Sequence, residues 1–236
     1  MWLIFFDLDE TLIARLEKTN RLVAVQMRSI YLQRHGEILS NRKVYGGWRF
    51  FPLYQDLHVS FFVDIARRAG YGDCRLFFVT SSNYEEDEIK EMLKMFFAKT
   101  AAVKKLIDNA GFANKNSPPI ISETNEDGDI ELNYSATKIA QMSRFKSNVA
   151  RISRKSISWR HCFLIDDSGE NMIAAIERGA QAINSQSDIY QKELADFSKA
   201  LKTRQPFTSA TVLEDDSSSS SYSMLDSSSV SSFPDD

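Results

Sequence analysis

Cysteine is scarce in this chain of 236 residues, where only Cys74 and Cys162 occur. Two thiols, each beside an apolar segment that reads as a core strand, make no disulfide framework; they predict buried free thiols and a reduced, cytoplasmic setting. Long hydrophobic runs are missing as well. The first apolar stretch is cut by Asp7 and has no basic residues ahead of it, which argues against a secretory signal core. Nothing approaches the length of a bilayer span. Zinc-ligand spacings and aromatic-studded nucleic-acid motifs are not found, so neither class of partner is expected.

What is present points to one good-sized domain with room for a small insertion. The chain is 43% hydrophobic and 26% charged, with 16 Phe to fill a core. Its net charge of -3 hides an asymmetry. Residues 211–236 carry six acids, eleven serines and no Lys or Arg, and so few apolar groups cannot offset the entropy of ordering; a disordered tail is expected. Conversely, Lys138 to Ile165 holds seven basic residues and no acid, read as a solvated helix face.

The apolar run Trp2 to Phe6 has the character of a central strand buried on both faces, and it ends in Asp7 and Asp9. Helical spacing then predicts a helix from Leu16 to about Leu32, stopping at Gly36. Residues 44–54, with paired glycines and a proline among large aromatics, read as an irregular ordered loop whose rings plug the core edge. Helical periodicity returns over 56–69, and Arg75 to Val79 is a second apolar strand, ending in Thr80 and Ser81. Helices follow over about 85–98 and 101–109, with a third short strand at 118–122. The Asp127-Gly128 turn makes 120–133 a small β excursion. A helix over 135–153 leads to the strand 161–165, which ends in Asp166 and Asp167. A helix reaching Gly179, a short strand at 180–183 and a terminal helix over 188–202 complete the pattern. Strands alternating with helices predict an α/β fold with a parallel sheet.

In such a sheet the carboxyl ends of the strands lie along one edge, where ligands bind. Asp7, Asp9, Asp166 and Asp167 would converge there. Four carboxylates so close repel one another, and a hard divalent cation is the natural solution, Mg²⁺ above all, since it takes a few carboxylates plus water and phosphate. Hydroxyls and a lysine complete a phosphate site.

In order and spacing, Asp7-Leu8-Asp9-Glu10-Thr11, the strand-terminal Thr80, a lysine before the last acidic strand, and Asp166-Asp167-Ser168-Gly169-Glu170-Asn171 resemble the four motifs of the haloacid dehalogenase-like hydrolase superfamily. The resemblance spans about residues 1–183. It implies a three-layer α/β/α, Rossmann-like parallel sheet with a small cap, and a Mg²⁺-dependent phosphatase working through an aspartyl-phosphate. By that likeness Asp7 is the nucleophile, and Asp9 is the acid and base whose carbonyl also binds the metal. Thr80 and Lys138 hold the phosphoryl group, Thr11 and Ser81 assist with substrate, Asp7 and Asp9 together with Asp166 and Asp167 hold the metal, and Asn171 supports them. The acid at Asp9 favours phosphate esters over carbon-halogen chemistry.

The expected layout is a catalytic domain over 1–205, with a cap or loop insertion at about 14–54, a second insertion at about 96–134 and the tail at 211–236. So small a cap suggests an open site that admits a phosphoprotein or a small phosphoester. A non-catalytic binding module on the same fold is the alternative. The tail also resembles export signals of bacterial effectors, which would bring secretion machinery as a partner and a host cell as destination.

Overall fold

The computed structural model describes residues 1–17, 43–45, 48–125 and 127–209; the expected tail and most of the expected first helix lie outside them. Among these residues the core is a five-stranded sheet of β1 (Trp2–Phe6), β5 (Cys74–Val79), β6 (Gly111–Ala113), β9 (Cys162–Asp166) and β10 (Gln181–Asn184). Its order is β10-β9-β1-β5-β6, and every pairing is parallel. β1 is therefore the middle strand, with Leu3 to Phe6 fully buried, as its unbroken apolar run requires.

Alternate residues of β1 serve opposite layers. Ile4 and Phe6 pack in one cluster with Phe61 and Phe62 of α1 (Gln55–Gly70), Leu93 and Phe96 of α2 (Glu86–Phe97), and Leu194 and Phe197 of α6 (Tyr190–Thr203). Leu3 and Phe5 join the other, with Ile139 and Met142 of α4 (Tyr134–Ser153) and Ala175 of α5 (Gly169–Glu177). The result is the expected α/β/α sandwich. α3 (Ala101–Asp108) starts at the Thr100 cap, whose side chain accepts from Val103 N. Cys74 and Cys162 are buried and free. No helix among the described residues is long and apolar enough to cross a membrane.

Two local expectations fail. Where the first helix was to begin, the chain is a strand, β2 (Ile13–Glu17), which pairs antiparallel with β4 (Trp48–Pro52), itself paired with β3 (Lys43–Tyr45). The reversal comes from a tight turn in which Leu8 O accepts from Leu12 N and Ile13 N at 2.9 Å. Distant aromatic strand-formers thus override local helical spacing. Of the expected loop, the described residues 44–45 and 48–52 are correspondingly strand, although Phe50 and Phe51 do bury into the core.

The second concerns 96–134. Gly111 opens β6, so this span includes a strand of the central sheet; a Cβ there would stand 2.5 Å from Phe77 Cδ1, and only glycine allows the approach. Outside the central layers stands the hairpin of β7 (Ser122–Thr124) and β8 (Ile130–Leu132), where the β excursion was expected; β7 replaces the strand foreseen at 118–122.

Candidate active site

The first acidic residue continues the pairing that positions it. Asp7 N donates to Ile165 O at 2.9 Å, and beyond β5 Thr80 N donates to Ala113 O at 3.0 Å. Both side chains thereby stand at the carboxyl edge. α4 begins beside them, capped by Asn133, whose side chain accepts from Ala136 N at 2.7 Å. One turn into that helix, Lys138 reaches the edge.

Its ammonium donates to Asp7 Oδ1 at 2.8 Å and to Asp166 Oδ2 at 2.7 Å. All three side chains are buried, Lys138 being only 3% exposed. Burial opposes the lysine's charge, but Asp166 and Asp7 outweigh it and hold its pKa above the ordinary value. Burial pushes Asp7 well above the usual carboxylate range; Lys138 pulls it back, and Asp166 and Asp167 push it up again. Asp167 is raised to about 6, by burial first and by Asp166 next. Three carboxylates share one ammonium, so the cluster is short of positive charge.

The two acids of the last strand differ. Asp166 Oδ1 accepts from Ser168 N at 2.9 Å and from Asn171 Nδ2 at 3.0 Å, and its other oxygen is taken by Lys138. Asn171 in turn accepts from Ser135 Oγ at 2.9 Å. Asp167, by contrast, borders a cleft of about 380 Å³ together with Asp7, Asp9, Thr80, Ser81, Lys138 and Asn171. Asp166 does not border it.

Nor does Thr11. Its side chain is fully buried, and its hydroxyl is within 3.1 Å of Ser185 Oγ, so the structure sets it behind the strand edge rather than beside a substrate. Sequence reasoning also passed over Ser82 and Tyr84, whose hydroxyls donate to Asp9 Oδ2 and Oδ1. Their only signal was position, two and four residues after Thr80 in the same loop. Ser135 was missed too, though it stands one helical turn before Lys138. A larger cavity of about 860 Å³ lies along α4 and α5 and shares only Ser135 with this cleft.

Among the described residues no group of three or more His, Cys, Asp and Glu is placed to enclose a metal. Four carboxylates line the cleft, Asp7, Asp9, Asp167 and Glu170. Asp9 already accepts from Ser82 and Tyr84 on its two oxygens, and Asp7 and Asp167 are the strand-end pair, close enough that Asp167 raises the cost of charging Asp7. That suits Mg²⁺, which is held by one or two carboxylates and keeps waters or phosphate oxygens for the rest. The excess negative charge supplies the reason for a cation, and its presence would restore Asp7 to the ionised form.

No family model matches the chain, and no curated protein matches it. Among solved structures it is similar to a HAD-superfamily hydrolase from Ehrlichia chaffeensis, with 12% identity and a TM-score of 0.44 over 85% of this chain and 97% of that one.

Proposed function

We propose that this chain is a phosphomonoester hydrolase of the haloacid dehalogenase-like type, dependent on Mg²⁺ and working through an aspartyl-phosphate. The observation that carries the reading is the Lys138 ammonium between Asp7 and Asp166, contacts across 131 and 28 positions of sequence. An ion triad at the carboxyl edge of a parallel sheet, opening on a cleft lined by hydroxyls, supports a phosphoryl-transfer reading, because it offers a carboxylate beside donors for phosphoryl oxygens.

Asp7 has one carboxylate oxygen on Lys138, and the other attacks phosphorus. A bond forms from that oxygen to phosphorus and the ester P–O bond breaks, while Asp9 gives its proton to the departing oxygen. A water then attacks the phosphoryl group and yields its proton to Asp9. The acyl-phosphate bond breaks, releasing inorganic phosphate and regenerating Asp7. Lys138, Thr80 and Ser81 hold the phosphoryl oxygens; Thr80 Oγ1 accepts from Ser82 N at 3.1 Å, a bond that does not use its own proton. Mg²⁺, held by Asp7, Asp167 and the Asp9 carbonyl, would neutralise the charge that builds on those oxygens. Asp166 and Asn171 position Lys138.

The test is Asp7→Asn. It should abolish turnover of 4-nitrophenyl phosphate while leaving the melting temperature within a few degrees, and an unchanged rate sinks the proposal. Substrate class follows from a screen of phosphopeptides and phosphorylated metabolites with the intact protein.

A further inference from the structure

Asp9 is gripped on both carboxylate oxygens by one loop. Ser82 donates to Oδ2 and Tyr84 to Oδ1. The two donors differ in where they stand. Ser82 borders the cleft with Asp9, whereas Tyr84 is not among the residues that line it. Tyr84 is only 8% exposed.

Its own placement is over-determined. Tyr84 O accepts from Asn114 Nδ2 at 2.9 Å, which ties it to the segment after β6. On the other side its ring meets Phe50 edge-on, with centroids 5.9 Å apart. Phe50 is fully buried on β4 and registers with Arg15 of β2 and Lys43 of β3. Tyr84 therefore joins three things: the loop carrying Thr80, the antiparallel sheet of β2, β4 and β3, and the carboxylate of Asp9. Asp9 itself sits in the turn leading into that sheet, bridged to Ile13.

We infer that Tyr84 is a positioning residue for proton transfer, fixing the Asp9 carboxyl in the orientation from which it serves the leaving oxygen. This rests on the proposed phosphatase reading. In the step concerned, the Asp7–phosphorus bond forms and the phosphorus–leaving-oxygen bond breaks, with the Asp9 proton passing to that oxygen. Tyr84 neither gains nor loses a proton. A carboxyl joined to a turn through two rotatable bonds has several orientations, and two hydroxyl donors, one on each oxygen, select one.

A buried hydroxyl that merely satisfies itself on a nearby carboxylate would affect stability alone, so the readout is leaving-group dependence. Protonation matters for a strongly basic alkoxide and hardly at all for nitrophenolate. Tyr84→Phe keeps the ring against Phe50 and removes only the donor. We expect kcat/KM for a simple alkyl phosphate to fall about ten-fold or more, a fraction of what general acid catalysis supplies. With 4-nitrophenyl phosphate it should change less than about three-fold, since that leaving group needs no proton. Equal losses on both substrates, or no loss on either, overturn the inference. Should Tyr84→Phe melt early, Ser82→Ala removes the bond to the other oxygen and must show the same selectivity. Asp7→Asn run alongside separates the two ideas: if it stays active the phosphatase reading fails, and if it is dead while Tyr84→Phe is unselective, only the role of Tyr84 fails.

Discussion

Lys138 neutralises part of a buried cluster that the fold would otherwise have to hold together against repulsion. Replacing it by methionine leaves Asp7 and Asp166 buried without their counter-ion, and losing one partner of such a cluster costs about 3–5 kcal/mol. Urea unfolding of Lys138→Met should show that loss, and phosphatase turnover should vanish with it. Asp167 gives a pH prediction of definite sign. Its folded pKa is raised to about 6, so the protonated form is favoured by folding; the associated stability is complete below the unfolded value of about 4 and is lost as pH rises through 6. Asp7 acts in the same direction. Chelator-treated protein should accordingly melt higher at pH 5 than its other groups alone would dictate, an excess that shrinks in Asp167→Asn. Added Mg²⁺ should raise the melting temperature at pH 7.5 and do so less at pH 5, where the carboxylates take protons instead. A calorimetric scan at the two pH values with and without Mg²⁺ checks both statements.

Among the elements, β6 shows how little tolerance a short edge strand can have. Phe77 stacks on Phe5 with centroids 4.8 Å apart, and Phe145 of α4 leans on Phe77 at 4.7 Å. Gly111 lets β6 slide beneath that stack. In Gly111→Ala the new methyl would also stand 2.9 Å from Phe145 Cε1, and overpacking of this kind costs about 1–3 kcal/mol. Because Val79 pairs with Ala113 just before Thr80, the shift reaches the cleft: thermal melting and turnover should fall together in this variant. On the other layer, α1 and α6 are tied by His58, whose Nε2 lies 2.6 Å from Tyr190 OH while Nδ1 lies 2.7 Å from Leu53 O. Tyr190→Phe should cost about 1–3 kcal/mol, the penalty for a buried polar group left short of a partner, without altering KM.

For the molecule as a whole, the described fold closes at Ser209. Phe207 stacks on Phe197 with centroids 4.7 Å apart, and Ser209 Oγ donates to Ala182 O at 2.6 Å. A chain ended after Ser209 should melt and turn over like the full chain, whereas one ended after Arg204 should lose several degrees. The central sheet was legible in the sequence because β1, Leu76–Val79 of β5 and Cys162–Ile165 of β9 are unbroken apolar runs, each followed at once by acids or hydroxyls. Lys138 could be placed because it stands in the first turns of a helix ahead of the last such strand. What escaped depends on partners far away in the chain. β2 carries a helical spacing and becomes a strand only because β4 is there to pair with it. β6 is three residues long, too short for any periodicity. Thr11 sits in the right motif, yet the turn that follows Asp9 rotates it toward Ser185. Tyr84 and Ser82 find Asp9 only after β1 and β5 lie side by side.

That neighbour relation carries a consequence in time. Trp2 registers with Cys74 and Leu3 with Cys162, so the strand made first acquires its second neighbour only after most of the body has left the ribosome. Pairings of such long sequence separation are slow to form. Until then the apolar run Trp2–Phe6 is exposed on a nascent polypeptide, and Asp7 has neither Lys138 nor Ile165 to hold it. The edge carrying Asp7 is thus among the last parts of the fold to exist, and a ribosome-stalled chain ending before Cys162 should bind chaperones and, on the proposed function, hydrolyse no 4-nitrophenyl phosphate.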